Sequence, residues 1–210
     1  MAAPAVSAAG QGRIYFDSTS NKFRVSENGG AYADLVSGGG ATNIDGLTDA
    51  VANAGLNNLF LGSLAGGSAT GANNTGVGYQ SMENLTTGMN NVAVGRETMA
   101  STTTGNFNTV VGMFSLSANQ IGSFNTAIGD GVLTSTVNSS YNTGVGRSAL
   151  SQTTGEYNTA IGYQAGRNAN GVSTSNIFIG AEAGPSANTT LTETLWINNT
   201  SASPLIFAAL

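Results

Sequence analysis

Apolar and polar positions follow a fixed period through the middle of this chain. One phrase recurs, reading NTGVG at Asn74, NVAVG at Asn91, NTVVG at Asn108, NTAIG at Asn125, NTGVG at Asn142 and NTAIG at Asn158, with weaker copies, NLFLG and NIFIG, at Asn58 and Asn176. The asparagines from Asn74 to Asn142 are spaced by 17 residues, and the step to Asn158 is 16. A period this regular predicts a repeat architecture in which each unit stacks on the next.

Two apolar columns run through the aligned units. The position three after the asparagine is β-branched or Leu in every copy: Leu61, Val77, Val94, Val111, Ile128, Val145, Ile161 and Ile179. The position eight after it holds Met82, Met99, Leu116, Leu133 and Leu150. With a glycine fixed between them, these columns favour two short strands per unit. We therefore predict an all-β, parallel β-solenoid (β-roll) of about eight 17-residue rungs, a rung being one turn of the coil.

Stacking converts each repeated position into a spatial column. Adjacent rungs of a β-solenoid lie about 4.8 Å apart. The repeat asparagines would then form a ladder of side-chain amides, each bonded to its neighbours above and below: Asn58, Asn74, Asn91, Asn108, Asn125, Asn142, Asn158 and Asn176. The glycine after the β-branched residue is interpreted as a corner where only a bare backbone fits.

The rungs also predict association. A coil of 17 residues offers only a few inward side chains, and repeat units of this kind do not bury their apolar faces alone. The position two after the asparagine is mostly small, which would let another chain approach closely: Gly76, Ala93, Ala127, Gly144 and Ala160. We predict a homotrimer about the rod axis, which would also protect the strand edges.

The flanking segments differ from the repeats. Residues 1–36 contain the alternating stretches RIYFD and KFRV, separated by turn residues, and predict a small β-hairpin unit. Residues 37–42 form a Gly-rich linker by composition. Residues 43–55 place Ile44, Leu47 and Val51 on one face and predict a short helical cap. The repeat shaft is predicted over 56–184 and a C-terminal β segment over 185–210.

Composition excludes several classes of function. The chain has no cysteine and no histidine, so Cys/His zinc sites and His-based catalytic triads are not expected. The net charge of −5 offers no basic stripe for nucleic acid. The chain contains no run of 18 apolar residues, so membrane insertion is not predicted. The first residues do not show the pattern of a secretory signal. We expect no cofactor and no metal site.

Carboxylates are the only candidates for catalysis that this composition leaves. Glu97, Asp130, Glu156 and Glu182 fall in different columns or on distant rungs, so no pair is set at the separation that glycoside hydrolysis needs. We therefore predict that the protein is not an enzyme.

Two columns carry chemistry that the solenoid does not itself require. The residue just before the asparagine is aromatic on four consecutive rungs, Phe107, Phe124, Tyr141 and Tyr157. These rings could stack as a packing surface or present a stripe for sugars. The position five after the asparagine varies freely and is the candidate surface-contact column: Tyr79, Arg96, Met113, Asp130, Arg147 and Tyr163.

Phrases such as NTAIGYQAG (Asn158 to Gly166) and NTGVGRSAL (Asn142 to Leu150) resemble the repeats of bacteriophage tail-fibre and tail-spike proteins. They are similar in style to the head repeats of trimeric autotransporter adhesins, which are parallel β-rolls. The stretch from Gly12 to Leu35 resembles the virion-proximal segment of such fibres, and Leu195 to Phe207 resembles the segment that often precedes a C-terminal chaperone domain. The 17-residue repeat is longer than that of autotransporter heads.

This resemblance implies a function in attachment. A phage tail fibre would be a homotrimer held in the virion by its N-terminal segment through other tail proteins, and it would contact a glycan or protein receptor on the bacterial surface. A fibre of a phage-like contractile injection system or a bacterial trimeric surface adhesin are alternatives of the same architecture. A polysaccharide-degrading tail spike is the enzymatic alternative.

Overall fold

All regular secondary structure in the described part of the chain is β. The structure is a computed structural model that describes residues 8–9, 11–17, 22–27, 33–34, 50–53, 56–169, 171–198 and 206–209. The strands are β1 (Gly12–Asp17), β2 (Lys22–Glu27), β3 (Ala33–Asp34), β4 (Ala50–Asn53), β5 (Asn58–Leu61), β6 (Thr75–Val77), β7 (Val92–Val94), β8 (Thr109–Val111), β9 (Thr126–Ile128), β10 (Thr143–Val145), β11 (Thr159–Ile161), β12 (Ile177–Ile179), β13 (Thr194–Ile197) and β14 (Ile206–Ala209). They fall into two compact units, Met1–Ile44 and Asp45–Leu210.

The first unit contains a three-stranded sheet in the order β1-β2-β3. Strand β1 pairs antiparallel with β2, so that Phe16 lies opposite Phe23, and β2 pairs antiparallel with β3. Ile14 and Phe16, which project to the same face of β1, are exposed. The turn residues between the two predicted hairpin strands, 18–21, and the predicted linker, 37–42, lie outside the described residues.

The second unit is a β-solenoid, and its parallel all-β architecture is confirmed. Its eleven-stranded sheet runs in sequence order from β4 to β14. The nine strands from β5 to β13 are parallel and in register, one per rung, so that Ala93 lies between Gly76 and Val110 in neighbouring strands. At each end the sheet finishes in an antiparallel strand, β4 beside β5 and β14 beside β13.

The prediction of a helix over 43–55 is wrong for residues 50–53, which are the described part of that segment. Residues 50–53 form β4, which pairs with β5 so that Val51 lies opposite Phe60. The physical reason is that β5 has a free edge at the end of the stack, and backbone bonds along that edge outweigh the weak helical pattern of a short segment. Residues 43–49 and 54–55 lie outside the described residues.

Each rung has one strand rather than the predicted two. The second apolar column, Met82, Met99, Leu116, Leu133 and Leu150, lies in turns whose φ angles are 50–54°. The left-handed backbone at these positions turns the chain sharply. These five side chains are nevertheless fully buried. This column therefore belongs to the core, as its apolar character indicates, but its residues lie in turns rather than in a second strand.

The small column two after each asparagine is the core face of the strand. Phe60, Gly76, Ala93, Val110, Ala127, Gly144, Ala160 and Phe178 occupy it, and every one of these positions is buried. The β-branched column one residue later is turned outward and is partly or fully exposed. Since successive side chains of a strand point to opposite faces, both columns cannot face inward. The prediction that the small column admits a second chain is wrong, because that column faces the interior of the coil.

On most rungs the side-chain volumes of two core positions are balanced, and on the rung of Asn158, where these positions are Ala160 and Gly166, Leu150 and Phe178 of the adjacent rungs fill the space. In the middle of the stack a small strand residue is combined with a large turn residue, as with Gly76 and Met82 or Ala93 and Met99. At rungs with Phe60 or Phe178 in the strand, the turn position is Gly66 or Gly184. A Cβ added to Gly66 would collide with the Phe60 ring. The interior is therefore closely filled at these positions.

The stack continues beyond the predicted shaft boundary at residue 184. Leu195, Trp196 and Ile197 of β13 are in register with Ile177, Phe178 and Ile179. Thr194 takes the place of the asparagine: it is buried, and its backbone N–H donates to Asn176 Oδ1 at 3.0 Å. The phrase TLWIN thus continues the repeat with threonine in the ladder position, a substitution that conceals it in the sequence.

Candidate interaction surfaces

The repeat asparagines form a buried ladder along the coil. Side-chain Nδ2 to Oδ1 distances between successive rungs are 3.2, 3.1, 3.1, 3.1, 3.1 and 2.9 Å for the steps ending at Asn74, Asn91, Asn108, Asn125, Asn158 and Asn176. Each Oδ1 also accepts the backbone N–H of the next asparagine, for instance from Asn125 to Asn108 at 3.0 Å. The remaining Nδ2 hydrogen reaches a carbonyl of the following rung, as from Asn108 to Gly122. These amides hold rung to rung and are closed to any ligand.

Glycines mark one corner of the first eight rungs, and Asn198 takes this position on the ninth. Their φ angles lie between 118° and 138° at Gly62, Gly78, Gly95, Gly112, Gly129, Gly146, Gly162 and Gly180. A Cβ at Gly95 would stand 2.7 Å from the carbonyl oxygen of Gly112 in the next rung. Backbone conformation and rung spacing therefore both demand glycine here.

The outward side of the nine parallel strands is an uncharged aliphatic surface, which we call the strand face. It consists of the positions one and three after each ladder residue, from Leu59 and Leu61 to Leu195 and Ile197. Only Thr, Val, Leu and Ile occur there. In the single chain Val94 is 36% exposed and Ile161 is 45% exposed. A stripe of apolar side chains this long on one surface is characteristic of an interface. Strand alternation in the sequence places these two positions on the same side, opposite the residue between them.

The aromatic residues before the asparagine form a continuous stack, which we call the aromatic ladder. Ring centroids of Phe107, Phe124, Tyr141 and Tyr157 are 5.0, 5.0 and 4.9 Å apart, and the ring planes lie within 8° of parallel. The rings remain 46–56% exposed. Because each inner ring has a neighbour on both faces, it has only its edge for an external partner. Sugars bind aromatic side chains through the ring face, so this geometry disfavours the interpretation as a sugar stripe.

The backbone of the aromatic ladder is strained. All four residues have φ between 56° and 60°, in the left-handed region, which costs roughly 1–2 kcal/mol for a residue with a Cβ. In the first rungs the same column holds Asn57, Asn73 and Asn90, which suit this conformation better and link through side-chain bonds of 3.2 Å. The four rings therefore occupy positions that local backbone preference would give to asparagine.

The variable column lies on the exposed side of the corner glycines, and several of its members are already engaged. The Arg96 guanidinium lies 5.9 Å from the Tyr79 ring centroid and 5.2 Å from that of Phe114, and it pairs with Glu97 at 2.8 Å. Arg147 Nε is 3.5 Å from Asp130 Oδ2. Met113 and Tyr163 are exposed. The structure thus brings all six predicted contact residues to one surface.

The four acidic residues considered for catalysis are not brought together. Glu97 and Asp130 pair with Arg96 and Arg147 in the variable column. Glu156 lines an open groove of about 420 Å³ between Val137 and Val172, and Glu182 lines a separate cavity of about 60 Å³ beside Arg167. Across the described ranges, no three His, Cys, Asp or Glu side chains are grouped so as to hold a metal ion.

Comparisons with known proteins do not assign the chain to a family. Among the residues that the structure describes, none forms a helix long and apolar enough to cross a membrane. No protein-family model matches the sequence, no curated protein matches it, and no solved structure matches its fold.

Proposed function

We propose that this protein is a structural, adhesive fibre of a bacteriophage tail that assembles as a homotrimer and mediates attachment to the bacterial surface. The observation that carries the proposal is that each rung combines positions that repeat with one position that varies. The asparagine, the buried strand residue and the corner glycine repeat and build the coil, whereas the chemistry of the variable column changes from rung to rung. The resemblance of the repeat phrases to those of tail fibres adds the specific role.

The strand face supports the trimer. It is uncharged along nine successive strands, so identical chains can meet there without like-charge repulsion. Its side chains repeat at the strand spacing of about 4.8 Å, and a second copy of the same coil presents a surface of the same period. Closing three such faces about one axis would bury the aliphatic stripe.

A charge placed on the strand face is expected to separate the chains. Val111 is 39% exposed and lies in register between Val94 and Ile128. We expect Val111→Glu to remain folded as a solenoid but to be monomeric, because the carboxylate would have to be desolvated at the threefold interface. Light scattering of the unaltered chain should give three times 21.0 kDa, and that of the variant should give 21.0 kDa.

The matched control is Thr104→Glu, which adds the same charge at an exposed turn away from the strand face. This variant should remain trimeric. A monomeric unaltered chain, or a trimeric Val111→Glu protein, would contradict the assignment of this face.

Attachment through a repeat shaft would be multivalent. Three chains in each fibre, and several fibres, would present the same weak contacts many times. Because linked binding sites have a high effective concentration, the overall binding would be stronger than any single contact. We propose that residues 1–36 join the fibre to other virion tail proteins and that the shaft or a tip carried by it contacts a bacterial surface glycan or protein. Nucleic acid and membrane insertion have no place in this function.

Competition for the host is the direct test of the attachment function. Cells preincubated with the purified protein should adsorb fewer of the particles that carry it, and adsorption should be unaffected by the monomeric Val111→Glu variant. Antibody labelling of the particle in electron micrographs distinguishes a phage tail from a contractile injection system or from a bacterial surface adhesin. Release of reducing sugar from host polysaccharide, lost on changing one carboxylate, would favour the tail-spike alternative.

A further inference from the structure

Two unlike columns border the strand face along its length. The aromatic ladder precedes the asparagine at one edge of each strand, and the variable column follows the corner glycine at the other edge. Five residues separate the two borders on each rung, namely the asparagine, three strand residues and the corner glycine, and the three strand residues alone span about 10 Å. Both borders are exposed in the single chain.

A cyclic trimer places unlike borders against each other. If the strand faces close about a threefold axis, as in the proposed function on which this inference rests, each chain contacts its two neighbours through different edges of the face. We propose that the aromatic ladder of each chain packs against the variable column of the next chain. The occupant of the exposed ring edges is thus a second copy of this protein.

Rotational symmetry fixes which residues meet. Chains related by a threefold axis lie at the same height, so a ring faces the variable residue of its own rung or of an adjacent rung in the neighbouring chain. The pairs at equal height are Phe107 with Met113, Phe124 with Asp130, Tyr141 with Arg147, and Tyr157 with Tyr163.

The chemistry of these pairs is complementary. A methionine sulfur packs favourably at the edge of an aromatic ring, as Met113 would beside Phe107. The Tyr141 hydroxyl lies at the open edge of its ring and could accept a hydrogen bond from the Arg147 guanidinium, which also forms a 3.5 Å ion pair with Asp130. Edge contact is also the contact that the stacked rings leave open.

At two outer rungs both borders lack a large side chain. On the rung of Asn58 the border residues are Asn57 and Ser63, and on the rung of Asn176 they are Ser175 and Ala181. Small or polar side chains thus occupy both borders at these two rungs and rings occupy one border on the four central rungs, whereas the rungs of Asn74 and Asn91 combine Asn73 with Tyr79 and Asn90 with Arg96. The side of the variable column that faces the next chain is then covered in the trimer, its outer side stays open to a receptor, and the exposed residues Met89, Ile121, Val137 and Val172 in the turns add to that surface.

Disulfide trapping tests the pairing, because the chain has no native cysteine. Phe107→Cys and Met113→Cys would be made singly and co-assembled, and Tyr141→Cys with Arg147→Cys would form a second, independent pair. Disulfides need Cα atoms within about 7 Å, so they cannot join the two borders of one strand. We expect covalent dimers only in the mixed assemblies under mild oxidation, on non-reducing gels, and none from either single variant alone.

Light scattering on the same samples separates the two proposals. A trimer that cross-links as expected supports the pairing. A trimer in which neither pair cross-links overturns the pairing and leaves the proposed trimeric fibre intact. A monomer overturns both. A mixed control, Thr104→Cys with Met113→Cys, places one thiol on the outer turns and should not cross-link; cross-linking there as efficiently as in the test pairs would also overturn the pairing.

Discussion

Replacing Asn108 by alanine is expected to lower the free energy of unfolding by roughly 3–5 kcal/mol, since four buried hydrogen bonds of about 1 kcal/mol each are lost and one donor is stranded. Its Nδ2 donates to Asn91 Oδ1 and to the Gly122 carbonyl, both at 3.1 Å. Its Oδ1 accepts from the backbone N–H and the Nδ2 of Asn125, at 3.0 and 3.1 Å. The backbone N–H of Asn125 would lose its acceptor inside the coil. Denaturant unfolding followed by circular dichroism measures the change.

Two variants separate hydrogen bonding from volume. Asn108→Asp preserves the shape but sets a carboxylate oxygen against the Gly122 carbonyl, so it should destabilise the protein at least as much as the alanine variant. Asn84→Ala is the matched control, because its exposed side chain makes one bond, 2.7 Å to the Ala100 carbonyl, and should cost at most about 1 kcal/mol. Equal effects at Asn84 and Asn108 would contradict a special role for the ladder.

Gly95→Ala should be comparably disruptive for a different reason. At φ 138° an alanine is strained, by about 1–3 kcal/mol, and its Cβ would also stand 2.7 Å from the Gly112 carbonyl oxygen. Relief would require the two rungs to separate, which weakens the bond from Gly112 N–H to the Val94 carbonyl nearby. We expect a total loss of roughly 3 kcal/mol or more, measured as a lowered Tm and denaturation midpoint.

Gly131→Ala is the control for this prediction. Gly131 also has a positive φ, 65°, but the nearest atom to an added Cβ is Ser148 Oγ at 3.8 Å. The equivalent positions on other rungs hold Glu97, Phe114 and Ser148 at φ 53–58°. The change should cost only about 1 kcal/mol. A Gly95→Ala protein as stable as Gly131→Ala would show that the corner does not require glycine.

These predictions place stability and recognition on different columns. Changes to the ladder or the corner act on one chain, because their partners are the adjacent rungs of the same coil. Changes to the strand face or its borders leave those contacts intact and act on association. The free energy of unfolding therefore reports on the ladder and the corner, and the oligomeric state reports on the strand face and its borders. Both should be measured for every variant.

Much of the scaffold follows from local rules applied repeatedly. The 17-residue period implied stacked rungs, because in-register copies can satisfy each other's backbone only by lying one above another. The Asn and Gly positions followed from the same logic, since a small amide and a bare backbone suit tight stacking. The repeat pattern does not predict β13 as part of the shaft, because Thr194 stands there in the position of the asparagine.

The sequence by itself determined the repeat, the all-β class and which columns are apolar. The tertiary structure decided which way each column points. Val110 and Val111 are adjacent and equally apolar, yet Val110 is buried and Val111 is exposed. The reason is that Asn108 is buried, and the side chain two residues after it in the strand, Val110, faces the same side. Met82 and Leu116 reach the core from left-handed turns that no apolar pattern distinguishes from a strand. Periodicity specifies which residues share an environment, whereas only the closed coil specifies whether that environment is the interior or the surface.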